Sequence, residues 1–364
     1  MALSCGIVGL PNVGKSTIYN ALTNAGAQSA NYMFSTTEAN KAIVPVPDTR
    51  LKRICEFIHS DKLVYAQVEF VDVPGLVSGS SKGEGRGNSF LGDLKNVSAI
   101  LHVVRCFDSD SITHVHNKVD PVSDLEEVAL ELCMADLATV ERNIDRLNKM
   151  ARSGNKDAQV GVEALKKAQT HLQAGKVLRS LTWNDAEKKA LYPLFPLTNI
   201  PELIVCNVAV DQTGWKSKHA QAVQAYAKEH GSEVIEICGD VEAEASAFPE
   251  EERLALLKDM GLAEPGLNRL IQTAFKLLGL QTFLTAGEIE IKAWTIRKGA
   301  KGPEAAGAIH SDFEKGFVRA EIFSFDDLMQ YKSEAAIKAA GKLRVEGKEY
   351  VMQDGDIVHF LINK

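Results

Sequence analysis

The sequence lacks the features that mark secreted, zinc-binding and membrane-spanning proteins. Its six cysteines lie at least 27 residues apart and include no CxxC pair, so neither a disulfide framework nor a zinc site is expected. No apolar run approaches the roughly 20 residues that a membrane-spanning helix needs. A glycine-rich motif already begins at Gly9, which leaves no room for a cleavable targeting peptide. We therefore expect a cytoplasmic protein that makes no contact with a membrane.

The chain also lacks an excess of positive charge. Its 364 residues include 41 Lys and Arg against 48 Asp and Glu, which gives a net charge of −7, and no DNA-binding function is predicted. Hydrophobic residues make up 45% of the chain, as in ordinary globular proteins. The length suggests two or three domains.

Five short apolar runs predict a mostly parallel β-sheet. Each run is bounded by polar or turn residues, and long polar or helical segments separate the runs, as in sheets that helices cover on both faces. The runs are Leu3 to Val8, Val68 to Val73, Ile100 to Cys106, Leu203 to Val208 and Val234 to Cys238. We therefore predict one α/β domain, made of residues 1–122 and 201–280, with an insertion between its two parts.

The insertion, residues 123–200, has the pattern of an antiparallel helical hairpin, or coiled coil. Its first half repeats apolar residues at alternating spacings of four and three, as a helix packed on a partner helix does. Residues 142–179 carry nine Lys or Arg against three acidic residues, a local charge of +6. Two interpretations stay open: a solvent-exposed face, or a surface for RNA phosphates or another acidic partner.

The pattern changes again after residue 280. Residues 288–296 and 356–362 have the composition of strands, and Ser324 with Asp327 resembles a capping box that begins a helix. We therefore predict a small mixed α/β domain over residues 281–364.

A phosphate-binding motif follows the first predicted strand. Gly9, Gly14, Lys15 and Ser16 satisfy the GxxxxGK[ST] pattern, and the strand before it and the helix after it are the context that a phosphate loop requires. In such a loop, backbone N–H groups surround the phosphates, Lys15 supplies a catalytic charge at the β- and γ-phosphates, and Ser16 offers a hydroxyl to Mg²⁺. The expected nucleotide contacts are Asn12, Val13, Gly14, Lys15, Ser16 and Thr17.

Two further segments complete the predicted site for Mg²⁺ and the γ-phosphate. Asp72-Val-Pro-Gly75 is a DxxG sequence, in which Asp72 would hold Mg²⁺ through water and the Gly75 N–H would contact the γ-phosphate. Between the two motifs, Thr36 is preferred over Thr37 as a Mg²⁺ ligand from a loop that closes on the bound triphosphate.

The group that activates the attacking water is not obvious from the motifs. Leu76 stands where Ras-type GTPases carry a glutamine, and a leucine cannot orient water. His114 and His116 are candidates, with His114 preferred, because a histidine can exchange hydrogen bonds with water near neutral pH. For each histidine, the alternative to a catalytic role is that it is an ordinary loop residue. Asn12 could also present its side-chain carbonyl to a K⁺ ion that supplements Lys15.

The residues that would contact the base favour adenine. Guanine-binding proteins use Asn-Lys-x-Asp after a late strand, whereas here Asn207 is followed by Val-Ala-Val210-Asp211. Val210 cannot accept the two guanine hydrogen bonds, and leaving a buried donor unpaired costs about 1–3 kcal/mol. ATP is therefore preferred over GTP, although Asp211 could still reach guanine if the loop bends.

Taken together, these motifs resemble the Obg-like ATPase family of the YchF type, a branch of the translation-factor-related P-loop proteins. The similarity covers nearly the whole chain. The matching segments are GLPNVGKST at 9–17, FSTTEAN at 34–40, DVPGL at 72–76, SKGEGRGN at 81–88, HVVRCF at 102–107, EPGLNR at 264–269, LQTFLTAG at 280–287 and HSDFEKGFVRAE at 310–321. The resemblance implies a P-loop NTPase (OBG-type G) domain with an inserted α-helical coiled coil and a C-terminal β-grasp (TGS) domain.

The same resemblance implies a slow, Mg²⁺-dependent ATPase that associates with ribosomes. By position, it implies phosphate contacts from residues 12–17, Mg²⁺ at Ser16 and Thr36, and adenine contacts from Asn207 and Val208. The expected partner is the ribosome or its RNA, bound through the basic hairpin and the TGS domain.

This chain differs from the usual family sequence in the part of the site that would bind the base. Val210 stands where the family usually has glutamate, and Gly239-Asp240 stands where small residues are usual. The alternatives are a GTPase of the same fold, a ribosome-binding module with incidental hydrolysis, and a metabolic kinase, for which we find no acceptor-binding signature.

Overall fold

The computed structural model divides the chain into two units. It describes residues 3–29, 40–73, 86–260, 262 and 264–363. The first unit comprises residues 1–42 and 69–270, and the second comprises residues 43–68 and 271–364. A six-stranded sheet forms the centre of each unit.

Twelve strands form the two sheets of the described chain. They are β1 (Ser4–Val8), β2 (Lys41–Pro45), β3 (Leu63–Val64), β4 (Gln67–Asp72), β5 (Ala99–Arg105), β6 (Glu202–Asn207), β7 (Glu233–Ile237), β8 (Leu280–Ala286), β9 (Ile291–Arg297), β10 (Phe317–Ser324), β11 (Arg344–Glu346) and β12 (Asp356–Ile362). The first sheet has the order β2-β4-β1-β5-β6-β7, and the pairs from β4 to β7 are all parallel. The predicted mostly parallel sheet is confirmed.

Fourteen α-helices occur in the same described ranges. They are α1 (Lys15–Ser29), α2 (Thr49–Ile54), α3 (Arg86–Leu94), α4 (Pro121–Ala151), α5 (Lys156–Gln173), α6 (Asp185–Leu191), α7 (Lys218–His230), α8 (Gly239–Ala245), α9 (Glu250–Asp259), α10 (Gly266–Leu277), α11 (Gly302–Ile309), α12 (Ser311–Lys315), α13 (Phe325–Tyr331) and α14 (Glu334–Ala339). Among the residues covered, no helix combines the length and the apolar character that a membrane span requires.

The central strands of the first sheet are buried along their whole length. Every residue of β1 and β5 is buried, which explains why these segments have continuous apolar sequences instead of alternating ones. Because the strands are parallel, the carboxyl ends of β1, β4, β5 and β6 all lie at the same edge of the sheet. The register pairs Ile7 with Asp72 and Arg105 with Asn207, so the predicted site residues follow neighbouring strands at this edge.

The predicted helical hairpin is formed by α4 and α5. Asp120 caps α4 by accepting a hydrogen bond from the Ser123 N–H, and Asn155 caps α5 by accepting one from the Ala158 N–H. The two helices pack through apolar residues that the sequence spacing had placed on one seam. The buried residues that the two helices contribute are Cys133, Val140, Ile144, Leu165, Ala168 and Leu172, and Leu178, Trp183 and Leu191 of the following segment pack against them.

The second unit contains the mixed sheet β11-β10-β12-β8-β9-β3. Its β8–β9, β10–β12 and β10–β11 pairs are antiparallel, whereas β12–β8 is parallel. Aromatic rings of Phe283, Phe317 and Phe360 pack edge to face at its centre. The predicted capping box is present, because Ser324 and Asp327 exchange side-chain and backbone hydrogen bonds at the start of α13.

Residues 43–68 belong by their contacts to the second unit, a grouping that the sequence analysis does not make. Arg50 in α2 binds the Asp48 carboxylate through Nε and Nη2, at 2.9 and 2.7 Å. It also donates to Thr282 Oγ1 and to Asp354 Oδ2, both at 2.9 Å. Strand β3 adds to the edge of β9. These contacts join segments more than 200 residues apart, which a local sequence pattern cannot reveal.

Candidate functional site

The loop after β1 has the backbone geometry of a phosphate loop. Gly9 has φ +148° and Gly14 has φ +99°. A Cβ atom on Gly9 would lie 2.3 Å from the Val103 carbonyl oxygen, and one on Gly14 would lie 2.2 Å from Asn207 Nδ2. Both positions therefore require glycine, because of their conformation and because of the space around them.

Lys15 lies folded over the carbonyl groups of this loop. Its Nζ donates to the Gly9 oxygen at 2.9 Å and to the Leu10 oxygen at 2.7 Å. Burial lowers the pKa of Lys15 from 10.5 to about 8, and the nearby Asp72 carboxylate partly opposes this shift. Burial in this loop therefore disfavours the charged form of the Lys15 amine.

Asp72 and Ser16 supply oxygen donors beside Lys15. Asp72 is the last residue of β4, where burial raises the pKa of its carboxyl group and the charge of Lys15 counters the shift. Ser16 is exposed in the first turn of α1, and Thr17 beside it is half-buried. Hydroxyl and carboxylate oxygens are the ligands that Mg²⁺ prefers, so this pair fits the predicted ion.

Several predicted residues lie outside the described part of the chain. Thr36 and Thr37 fall in the gap 30–39, and Gly75 and Leu76 fall in the gap 74–85. Within the described ranges, no group of three or more His, Cys, Asp or Glu side chains is arranged to hold a metal.

The two candidate histidines are held by acidic partners. His114 is buried, its Nε2 lies 3.0 Å from Asp124 Oδ2, and its Nδ1 accepts from the His116 N–H at 3.3 Å. Because Nδ1 accepts, the ring proton lies on Nε2 and is donated to Asp124. Neither nitrogen is left to contact water in this arrangement, which differs from the expected role. His116 is more exposed and contacts Glu127 at 2.7 Å.

A buried arginine, which the sequence analysis did not select, organises the loop that contacts Asn12. The guanidinium of Arg105 donates to the carbonyl oxygens of Phe107, Ile112 and Ser109, at 3.0, 2.8 and 3.3 Å. At the end of this loop, the Thr113 oxygen accepts from Asn12 Nδ2 at 3.1 Å. The available signal was a charged residue ending an apolar strand, since a buried arginine needs several acceptors.

Asn207 connects the base side of the site to the phosphate loop. Its Nδ2 donates to the Val13 oxygen, and its Oδ1 accepts from the Gly239 N–H, both at 3.0 Å. Val208 is buried, and its N–H donates to the Ile237 oxygen at 2.9 Å. The Asn207 side chain therefore has two partners within the protein before it could contact a base.

Glu236 fixes the loop that follows β6, and the sequence analysis also missed this residue. Its carboxylate accepts from the N–H groups of Gly214 and Trp215, at 2.6 and 2.7 Å. The loop also contains Val210, which is exposed in a single helical turn, and Asp211, which is exposed beside it. The signal was a glutamate within a predicted buried strand, where an ionised group needs donors.

Two family models match parts of the chain. A model described as a 50S ribosome-binding GTPase matches residues 4–143. A model of the carboxy-terminal part of YchF GTPases, described as a protein of unknown function, matches residues 280–363. The first match includes the phosphate loop, and the second includes most of the second unit.

Full-length relatives share almost half of the sequence. The ribosome-binding ATPase YchF of Bacillus subtilis is 47% identical over 365 aligned residues, and that of Escherichia coli O157:H7 is 47% identical over 364, each covering 100% of both chains. Among solved structures, the YchF GTPase of Schizosaccharomyces pombe is similar with a TM-score of 0.89 and 37% identity, covering 99% of this chain and 97% of that one.

Proposed function

Because the chain belongs to the YchF family, we propose that it is a ribosome-binding ATPase. The observation that carries this proposal is the phosphate loop, with two glycines in obligatory conformations and Lys15 held over the loop carbonyls. The Bacillus subtilis and Escherichia coli relatives are named ribosome-binding ATPases, which supports both ATP and the ribosome as partners. Ribosome binding in turn favours a cytoplasmic location.

The proposed reaction is attack of water on the γ-phosphate. A bond forms between the water oxygen and the γ-phosphorus, the bond to the bridging oxygen breaks, and ADP and inorganic phosphate leave, with the water protons passing to phosphate or solvent. The amides of residues 12–17 bind the phosphates and Lys15 neutralises the charge that develops on them. Gly75 would contact the γ-phosphate. His114 would act through its position beside the loop that contacts Asn12.

Two cations belong to the proposal. Ser16, Asp72 and Thr36 would hold Mg²⁺, an ion that P-loop NTPases generally use and that supplies positive charge to the phosphates. The Nδ2 of Asn12 is bound to the Thr113 oxygen, so its side-chain carbonyl is the group that would bind K⁺. Comparing hydrolysis in potassium and sodium buffers tests the second cation.

Adenine is the proposed base, with contacts from the backbone around Asn207 and Val208. The exposed Val210 has no group that accepts the two guanine hydrogen bonds. A GTPase is the second candidate, because the matching family model and the Schizosaccharomyces pombe relative are both described as GTPases. In a competition experiment, ATP should displace a labelled nucleotide at lower concentration than GTP. The reverse order would favour the GTPase.

The three-part division proposed from the sequence assigns a role to each part. Residues 1–122 and 201–280 would bind the nucleotide. The basic hairpin within residues 123–200 and the TGS domain, residues 281–364, would contact the ribosome or its RNA. Nucleotide binding would then change how these parts engage the ribosome.

Hydrolysis and ribosome binding test the proposal together. Lys15→Ala should reduce ATP hydrolysis by about 100-fold or more, because one preorganised charge at the phosphates is lost. Cosedimentation with ribosomes should depend on ATP in the natural chain and lose that dependence in Lys15→Ala. If cosedimentation with ribosomes depends neither on ATP nor on the substitution, the chain is a ribosome-binding module in which hydrolysis is incidental.

A further inference from the structure

A groove with exposed aromatic rings lies at the opposite edge of the first sheet from the phosphate loop. It has a volume of about 370 Å³, and its lining includes Ser98 and Pro201, which directly precede β5 and β6. These positions are the amino ends of parallel strands, whereas the phosphate loop follows the carboxyl end of β1. We call this cavity, lined by Lys95, Trp183, Lys188, Tyr192, Phe195 and Asn199 among others, the aromatic groove.

Two aromatic rings of the groove are exposed to solvent. Tyr192 is 73% exposed and Phe195 is 57% exposed, and their ring centroids are 5.5 Å apart at an interplanar angle of 47°. Large apolar side chains with this exposure, adjacent to each other, are typical of binding surfaces and not of an isolated fold.

The backbone at Phe195 holds this arrangement at a cost in free energy. Its φ is +45° and ψ is +58°, a left-handed conformation that is rare for a bulky residue and occurs at functional positions. Its N–H donates to the Tyr192 oxygen at 3.3 Å, and Pro193 and Pro196 lie beside the two rings in the sequence. Glycine or asparagine would adopt this conformation more easily, so a phenylalanine at this position indicates that its ring has a function.

The charge around the rings favours an anionic occupant. Lys95 and Lys188 line the groove, and its lining, which lies entirely in the described part of the chain, includes no Asp or Glu. Among nearby acidic residues, Glu187 contacts Lys167 at 3.1 Å, and Glu202 is buried against Arg179. The Oδ1 atom of Asp185 lies 3.6 Å from the Nζ atom of Lys188. Both side chains are largely exposed, so the attraction between their charges is weak.

We propose that the aromatic groove binds an unpaired nucleotide of single-stranded RNA. The base stacks on one of the two tilted rings and packs against the other, and Lys95 and Lys188 contact the adjoining phosphates. Open aromatic faces beside lysines are the features with which proteins bind single strands without reading their sequence. A site for an apolar peptide side chain would instead be a closed apolar pocket, whereas the rings of Tyr192 and Phe195 are more than half exposed. The groove is lined by none of the residues of α4 and α5, although most of its lining belongs to the same inserted segment, residues 123–200. Only the choice of RNA as the source rests on the proposed ribosome binding.

Stacking is tested with a fluorescein-labelled hexauridine and the full-length chain. Fluorescence anisotropy should show that Tyr192→Ala and Phe195→Asn each weaken binding by at least about fivefold, the lower limit for loss of one stacked base. Asparagine is chosen at position 195 because it tolerates the left-handed backbone. Tyr192→Phe keeps the ring and should stay within about twofold of the natural chain. Phe248→Ala removes an exposed ring elsewhere in the first unit and should change nothing.

Salt dependence tests the lysines. Lys95→Gln and Lys188→Gln should each reduce the slope of log affinity against log salt by about 0.7, as expected for one phosphate contact on a single strand. Lys228→Gln, an exposed lysine of α7, should leave the slope unchanged.

The proposal is overturned if the natural chain does not bind hexauridine, or if both ring substitutions leave its affinity unchanged. It is also overturned if a labelled decapeptide rich in Glu and Tyr depends on Tyr192 while hexauridine does not, since the groove would then bind protein. ATP hydrolysis is measured in the same variants. If the ring variants hydrolyse ATP normally and bind RNA as tightly as the natural chain does, only the proposal for the groove is rejected. If the natural chain does not hydrolyse ATP, the proposed ATPase function is rejected.

Discussion

Lys15 is the residue whose protonation connects the structure to nucleotide affinity. Its pKa is about 8 because burial disfavours the charged form, so roughly nine tenths of the groups would be neutral at pH 9. Since the phosphates bind the charged form, ATP affinity should be steady below pH 8 and fall by up to about tenfold per pH unit above it. Titrating a fluorescent ATP analogue between pH 6.5 and pH 9.5, as rough limits, measures this dependence.

Lys15→Arg is the matched control for this titration. A guanidinium group keeps its charge throughout the range, so the fall above pH 8 should disappear whatever the absolute affinity of the variant. A natural chain whose affinity does not change between pH 7 and pH 9 would contradict the assigned contact.

Residues with local signals were predictable, and residues with distant partners were not. Gly9, Gly14 and Lys15 belong to one short motif, whose spacing follows from the turn around a phosphate. Arg105 and Glu236 bind backbone groups of loops, and no sequence spacing specifies such partners. The roles of Thr36 and Gly75, which lie outside the described residues, stay predictions.

At the scale of elements, the loop after β5 depends on one buried side chain. Replacing Arg105 by Met would remove all three hydrogen bonds to the carbonyls of residues 107–112. We expect amide hydrogen exchange in residues 107–113 to accelerate by at least about tenfold, because local opening costs less. ATP affinity should fall as well, since Asn12 loses a fixed partner.

Arg105→Lys provides a graded comparison. A lysine retains the charge but cannot reach three acceptors with one planar group, so its exchange rate should lie between those of the natural chain and Arg105→Met. Unchanged exchange in Arg105→Met, with the variant still folded, would show that the loop is held by other contacts.

The contacts of Glu202 in β6 with His102 and Arg179 should make the stability of the fold depend on pH. Burial alone would raise the pKa of Glu202, but Arg179 and His102 outweigh it and lower the pKa from 4.5 to about 2. The folded state therefore gains stability from this carboxylate above pH 4.5 and loses it progressively as the pH falls toward 2. Glu202→Gln should lower the urea midpoint at pH 7, and the difference from the natural chain should narrow below pH 4.5. A difference that does not vary with pH would contradict the paired charge.

Strands differed in how well the sequence predicted them. Continuous apolar runs identified β1, β4, β5, β6 and β7 to within one or two residues, because an unbroken apolar run between polar segments is a strong pattern. Edge strands such as β3 and β11 have two and three residues and carry little pattern. Helix α2 and β3 could not be assigned to the second unit, since their pairing depends on residues far along the chain.

At the scale of the whole molecule, Arg50 ties residues 43–68 to the rest of the second unit. Arg50→Met would leave Asp48 and Asp354 without their shared donor and Thr282 without one of its bonds. We expect a loss of about 2 kcal/mol in the free energy of unfolding, measured by urea denaturation. Arg50→Lys should recover part of the loss, and Lys338→Met, at an exposed position of α14 in the same unit, should cost much less. Equal stability of Arg50→Met and the natural chain would refute this role.

The central claim is that the amino-terminal loop binds a nucleoside triphosphate. Calorimetric titration of the folded full-length chain with ATP in magnesium buffer tests it most directly. The account predicts one binding site per chain for ATP, weaker uptake of GTP, and loss of the signal in Lys15→Ala. A correctly folded natural chain that takes up neither nucleotide would contradict it.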